Sequence, residues 1–326
     1  MIVMGIVLAT LALPFLLQSR QSARRNTCDY RLTDVGLTTL FVAELRTGKH
    51  FPGYTNEQAL DAAGKRTKTG WQFELLPFLS RHVEVNMDTV PKEERFNPLL
   101  FLPGPDKFGP RQKHYEAYGP PGPDATRGKT PDLYLPEFIC PEDPRSKADK
   151  RQPWTSYVAN CGMPDNQTKD KKFPPDWPAN GVFLDEFGNH DPVIFTSPQF
   201  VEDNDGASYT IMLSENLDAS LWTDSDEARV GFLWAPGDAD GRHTPDCLVL
   251  FINQERGTGD GSVRFARPSS EHPGGVMMMY CDGRTKFIDQ RIDFRIYFAQ
   301  MSPDGQNAKL PGSDKPLDPP YLEVRK

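Results

Sequence analysis

The groups in this chain best suited to hold a metal or act as nucleophiles are five cysteines and six histidines. The cysteines are Cys28, Cys140, Cys161, Cys247 and Cys281; the histidines are His50, His82, His114, His190, His243 and His272. Zinc sites are marked in sequence by paired ligands a few residues apart, because one short loop then brings both donors to the ion. No two cysteines here are separated by two residues, so the spacing indicates no zinc site. In an oxidising compartment the thiols are expected to pair instead. Cys140 and Cys161 flank one loop, and Cys247 with Cys281 is the pairing expected across neighbouring strands. Spacing does not fix connectivity, and the odd count leaves at least one thiol free or intermolecular.

Oxygen donors cluster in three Gly-containing stretches: Asp203-Asn204-Asp205-Gly206, Asp238-Ala239-Asp240-Gly241 and Gly257-Thr258-Gly259-Asp260-Gly261. Calcium takes such oxygens, but none of the three fits the twelve-residue calcium loop, and Val201 stands where the first needs its leading Asp. They read as turns. The chain has no G-x-S-x-G elbow, no H-E-x-x-H and no G-x-x-x-x-G-K-[ST] loop. No catalytic, cofactor-binding or metal-binding residue is therefore assigned, no cofactor is expected, and the chain reads as a non-enzyme.

The stretch PSSEHPGGVMMMYCDGRTKFI, residues 268–288, is unusual in another way. Pro273-Gly274-Gly275 is expected to turn the chain into a strand, and Asp282-Gly283 to turn it back through a two-residue type I′ hairpin. Val276, Met278 and Tyr280 share one face of that strand, and Met277, Met279 and Cys281 the other. Both faces are apolar, so the strand is expected to be central and buried. Ten residues at about 3.3 Å each put His272 roughly 30 Å from Asp282 in an extended chain, and less with the Gly-Gly turn. The two are expected to be structural residues at opposite ends of one strand rather than a catalytic dyad.

The elements that position these residues begin with the chain's apolar head. Ile2 to Leu17 reads IVMGIVLATLALPFLL, and no charge occurs before Arg20. A membrane-crossing helix needs about 20 apolar residues, so the run is slightly short. Leu37, Leu40, Phe41 and Leu45 then recur at helical spacing, with Gly48 as a C-cap and Pro52 just beyond. One long helix is expected from the head to about Gly48, kinked at Pro14. Residues 1–19 would be its transmembrane half, 20–50 its exported half, and 51–326 a β-rich exported domain. A cleaved signal peptide fits less well, because no basic residue precedes the apolar run and no small-x-small cleavage site follows it. Arg20, Arg24 and Arg25, read literally, would place the large C-terminal part in the cytoplasm. A basic leader upstream of Met1 would reverse that, and the short apolar run suggests residues missing from this end.

Residues 55–66 are expected to form a short capped helix, and Trp71, Leu75, Phe78 and Leu79 a helical face weakened by Pro77. Frequent prolines from Pro91 to Pro153 suggest an irregular surface insertion. Strands are expected at 156–160, 209–215, 229–234, 247–253, 275–281 and 284–289. Helix first and strands afterwards make an α+β fold with an antiparallel sheet. The charged fraction, 25%, excludes a polytopic membrane protein, and the net charge of −8 argues against a nucleic-acid partner.

His272-x9-Asp282-Gly283, in its HPGGV…DGRTKFI setting, resembles the His-x9-Asp-Gly signature of a planctomycete family of prepilin-like proteins, the domain of unknown function 1559. Further segments resemble that family in the same order: Leu13-Pro14 through Gln18, Ala23 to Cys28, Val35-Gly36-Leu37, Phe51-Pro52, Trp71 with Leu75 to Leu79, Cys140-Pro141-Glu142-Asp143, and Asp205-Gly206 through Glu215. The resemblance implies a type IV pilin-like architecture, with a long N-terminal helix half in the inner membrane and an antiparallel β-rich domain on its outer half. His272, Pro273, Gly274, Gly275, Asp282 and Gly283 are its signature residues, with structural roles. The expected localisation is the cytoplasmic membrane, single-pass, with the C-terminal domain on the periplasmic side. The implied partners are that membrane and other pilin-like subunits or secretion machinery. The chain lacks the prepilin cleavage site and the Glu that assists subunit registration, which puts processing and assembly in question. The expected function is that of a non-enzymatic envelope protein. An anchored glycan- or peptide-binding module, drawing on Trp71, Trp154, Trp177, Trp222 and Trp234, is the alternative, and a hydrolase with a dispersed site ranks third.

Overall fold

The structure, a computed structural model, describes residues 2–58, 67–76, 78–79, 135–147, 152–165, 175–187, 193–236, 244, 246–257, 261–315 and 317; within these, the side chains of 2–21, 57–58 and 67 are outside the description. Helix α1 runs from Ile2 to Leu45, 44 residues, or about 66 Å at 1.5 Å per residue. The chain leaves it through Gly48, in the left-handed region at φ 86°. Among the described residues no helix is long and apolar enough to cross a membrane. The expected lipid-facing half, residues 1–19, falls where side chains are not described.

The second half of α1 packs through a face that leaves most of the expected apolar stripe outside it, with only Leu40 of that stripe packed against the core. Leu37, Phe41 and Leu45 are about half exposed, whereas Cys28, Leu32, Val35, Thr39, Val42 and Ala43 are buried. These buried positions follow the 3.6-residue period, but several are small. The helix can therefore lie close to the sheet, and a methyl group added at Gly36 would overlap Met279 Sδ.

After α1 come β1 (Thr55–Gln58) and β2 (Thr67–Gly70), an antiparallel pair. This corrects the expected helix at 55–66, whose remaining residues, 59–66, lie outside the described residues. Helix α2 (Trp71–Leu75) follows. The main sheet contains β3 (Tyr157–Gly162), β4 (Ile211–Glu215), β5 (Gly231–Leu233), β6 (Gly275–Tyr280) and β7 (Thr285–Asp289), in the order β5-β3-β4-β6-β7. Between them lie α3 (Pro198–Asp203) and α4 (Glu227–Val230), and α5 (Phe294–Met301) follows β7. All pairs are antiparallel except β3 with β5, which makes the sheet mixed rather than purely antiparallel. The expected strand at 247–253 is a series of turns. Cys247, Val249, Leu250 and Ile252 are buried while Leu248 is exposed, and its backbone bonds go to separate loops: Leu250 N–H to the Arg264 carbonyl and Asn253 N–H to that of Pro268.

The sheet separates two apolar cores. On one side α1, α2 and the Phe138 turn pack with Met277, Met279 and Cys281. On the other, α5 packs with Val276, Met278 and Tyr280. β6 therefore buries both faces, as its sequence predicts. The expected Pro-rich insertion, about 91–153, lies outside the described residues up to 134. Its described end is not a surface segment: Phe138, Ile139 and Cys140 are buried.

The β6–β7 hairpin also differs from expectation. Tyr280 N–H bonds to the Arg284 carbonyl, and Gly283 N–H to that of Tyr280, so the loop holds three residues, 281–283. Gly283 alone of these has positive φ, 87°. A type I turn closed by a left-handed glycine satisfies this pattern; a type I′ turn needs positive φ at Asp282 as well. At the other end of β6, a side chain on Gly275 would overlap the Ile288 carbonyl of β7. Gly275→Ala should therefore destabilise the domain by about 1–3 kcal/mol, the range of overpacked sites. Denaturant unfolding followed by tryptophan fluorescence measures it, and an unchanged midpoint would mean the β6–β7 pair moves apart freely.

Candidate functional site

The signature histidine lies where α1, the sheet and the Phe138 turn meet. His272 sits just ahead of β6, with its backbone N–H on Ser270 Oγ at 3.1 Å. Its Nε2 is 3.2 Å from Glu215 Oε1 and 3.7 Å from Cys140 Sγ. Glu215 ends β4, next to β6 in the sheet, and its Oε2 accepts from Met277 N–H at 3.0 Å. The side chains of His272 and Glu215 are 3% and 2% exposed, so no substrate reaches them as they stand.

Cys140 is bonded to Cys28 of α1 across 112 residues of sequence. This corrects both expected pairings, since Cys161, Cys247 and Cys281 are free and buried. The reason is topological. Cys161 lies in β3 against Gly231 of β5, while the turn carrying Cys140 docks on the helix. Arg31 of α1 donates to the Ile139 carbonyl at 2.6 Å, and Arg24 pairs with Glu142 at 3.1 Å. The far side of the turn is tied to β3: Cys140 N–H donates to Ser156 Oγ, and Ser156 Oγ–H to Asp143 Oδ2 at 2.7 Å. Arg145 completes the tie by pairing with the same Asp143 carboxylate at 2.6 Å. Tyr157 O–H donates to the Cys28 carbonyl at 3.0 Å from within the sheet.

The remaining signature residues hold backbone. Pro273 and Gly274 make the turn into β6, with Gly274 at φ 85°. Asp282 accepts from the Arg284 backbone N–H at 3.0 Å and pairs with its guanidinium at 2.5 Å. His272 and Asp282 thus stand at opposite ends of β6 and do not meet. Sequence spacing did not reveal the grouping of Cys28, Cys140, Glu215 and His272, because its members are separated by more than fifty residues at every step.

The other candidate groups lead elsewhere. Trp71, Trp222 and Trp234 are core residues. Trp154 and Trp177 are half-buried and lie under cations, Arg145 at 5.4 Å and Lys309 at 4.6 Å, so the tryptophans offer no open sugar platform. The 203–206 stretch is the last residue of α3 and the turn after it, with Asp205 Oδ2 accepting from Gly305 N–H. The 238–241 stretch and residues 258–260 lie outside the described residues.

A separate acidic group surrounds Tyr54, whose hydroxyl donates to Asp165 at 2.9 Å. Burial, then the nearby Asp165 charge, pushes the Asp176 and Glu227 carboxyls well above the usual range. A carboxyl raised on folding stabilises the fold fully below its unfolded value, and that contribution is lost as pH rises through the folded value. Stability should therefore fall as pH rises from about 4 toward neutrality. Asp176→Asn, which keeps an oxygen for the Asp185 N–H, should flatten that fall and raise the pH 7 midpoint. A lower midpoint at pH 7 would contradict this.

The disulfide gives a second expectation. Replacing both cysteines, Cys28→Ala with Cys140→Ala, frees a loop of about 110 residues in the unfolded chain and should cost about 4 kcal/mol. Denaturant unfolding against the oxidised parent measures it, and a loss under about 1 kcal/mol would place the stabilisation elsewhere.

No curated protein and no solved structure matches the chain. One family model does, over residues 18–295, and its family is described as a protein of unknown function, DUF1559. The matched span begins inside α1, ends in α5 and contains Cys28, Cys140, Glu215, His272 and the Asp282-Gly283 turn. With the match covering most of its length and the signature residues within it, the chain belongs to the DUF1559 family of proteins of unknown function.

Proposed function

We propose that the chain is a non-enzymatic protein of the cell envelope, anchored in the cytoplasmic membrane by its N-terminal helix. Its domain lies on the extracytoplasmic side and has a structural or interaction role, like that of a type IV pilin or a type II secretion pseudopilin. The observation that carries this reading is the division of α1. The helix is 44 residues long, carries no charge before Arg20, and among the described side chains first touches the domain at Arg24. An uncharged apolar stretch opening a helix this long suits lipid, while the later part of the helix is tied to the domain through Arg24, Cys28 and Arg31.

Two further features support the reading. A disulfide between buried cysteines is typical of an oxidising compartment. The exposed Leu37, Phe41 and Leu45 recur every four residues along α1 and give an apolar strip for another pilin-like helix. The buried His272–Glu215 pair gives no support to a hydrolase.

Fractionation of cells producing the intact chain tests the proposal. The protein should sediment with the cytoplasmic membrane, resist alkaline carbonate and dissolve in detergent, and its domain should be cut by protease added to spheroplasts. Without reductant, a maleimide should label three of the five cysteines in the denatured chain, consistent with Cys161, Cys247 and Cys281 being the free ones. Intact protein in the cytosol with five reactive thiols would overturn the reading.

A further inference from the structure

Four donor atoms of three chemical kinds meet where α1 crosses the sheet. The sulfurs of Cys28 and Cys140, a carboxylate oxygen of Glu215 and a ring nitrogen of His272 all lie within 4.8 Å of one another, and all four residues are buried. Glu215 Oε1 is the atom that calls for explanation. It is buried and makes no hydrogen bond among the described residues. His272 Nε2 stands 3.2 Å away, at ion-pair distance, with no hydrogen bond between the two. Met277 N–H holds the other oxygen, so Oε1 is kept facing the cluster. A buried carboxylate oxygen without a donor is costly, and a cation beside it removes that cost.

We propose that reduction of the Cys28–Cys140 disulfide turns this cluster into a tetrahedral site for a zinc-class divalent cation, with Cys28, Cys140, Glu215 and His272 as its ligands. A dithiol reductant supplies two electrons and two protons: the S–S bond breaks, two thiols form, and the reductant becomes a disulfide. The incoming cation displaces both thiol protons to solvent and gains two thiolates, a neutral imidazole and a carboxylate.

The geometry needs little change. Bonds of about 2.3 Å to sulfur and about 2.0–2.2 Å to nitrogen and oxygen place tetrahedral donors roughly 3.3–3.8 Å apart. The His272–Glu215 and His272–Cys140 separations, 3.2 and 3.7 Å, are already near that spacing. The two sulfurs are the atoms that must move apart, and breaking their bond permits it. The ligand backbones keep their other ties: Cys28 to Tyr157, Cys140 to Ser156 and His272 to Ser270. Two thiolates and an imidazole select zinc-class ions over magnesium and calcium, which prefer oxygen. The site holds one net negative charge when filled, and Arg31, on the carbonyl beside Cys140, brings a cation to the same seam. The inference does not depend on where the protein resides.

The test uses the full-length chain, reduced with a phosphine, stripped of metal and titrated with cobalt(II). One cobalt per chain should bind with a thiolate charge-transfer band, zinc(II) should displace it, and the oxidised chain should take up none. Zinc should slow alkylation of Cys28 and Cys140, leaving Cys161, Cys247 and Cys281 unchanged. Glu215→Gln keeps an oxygen for Met277 N–H and should weaken cobalt binding by about 10- to 100-fold. His272→Ala should do at least as much. Absence of the charge-transfer band in the reduced chain would overturn the proposal, as would protection falling on the other three cysteines. So would a reduced chain that loses its near-ultraviolet dichroism and does not regain it with zinc.

Discussion

Gly36 of α1 lies against Met279 of β6 with no side chain of its own between them, and the approach this allows sets the positions of the surrounding groups. At that distance the Cys28 sulfur reaches the turn carrying Cys140. At the helix's far end, Arg46 reaches both Glu186 and Glu74, and His50 Nδ1 stands 3.1 Å from Glu186. Cys28 and Arg46 are 18 residues apart, about 27 Å along the axis. Two clamps at that spacing fix the helix's angle on the domain as well as its position.

The same contact accounts for the build of β6. A strand that meets α1 on one face and α5 on the other has no solvent side, so its residues read as an apolar run without alternation. Polar work then falls to its ends. Before the strand, His272 faces Glu215 and the cysteines. After it, Asp282 and Gly283 close the hairpin. The spacing of the signature is thus the length of one buried strand and its two turns, and it does not measure the distance between partners in a reaction.

The sequence made some of this legible. The two-sided apolar pattern of 275–281 located the central strand, and the helix was readable to within a few residues of its end. The packing face of α1 was not, because burial there falls on Gly36, Thr39 and Ala43, while hydropathy gives weight to Leu37 and Phe41. Thr55 and Asn56 suit a helix cap, yet 55–58 is a strand because its pairing with 67–70 is settled by tertiary contact. Asp-Gly suits a type I′ turn and also a type I turn with a left-handed glycine, and local sequence does not choose between them. The site itself was out of reach: its four residues come from a helix, a turn, a strand end and a loop, and only the folded topology brings them together.

The disulfide is one of several contacts that hold the seam between helix and domain. The Arg24–Glu142 pair is exposed on one side and contributes little, of the order of 0–1 kcal/mol. The buried contacts matter more. Tyr157 is fully buried, and its hydroxyl has the Cys28 carbonyl as its partner. Arg31 covers the Ile139 carbonyl, and Arg25 lies 3.6 Å over the Phe287 ring. Removing any of these leaves a buried polar group or an apolar gap, whereas opening the sulfur bond leaves two small thiols in their places. The disulfide therefore locks a seam already shaped by other contacts. That is the physical condition under which its two sulfurs, Glu215 and His272 stay near one another in either redox state.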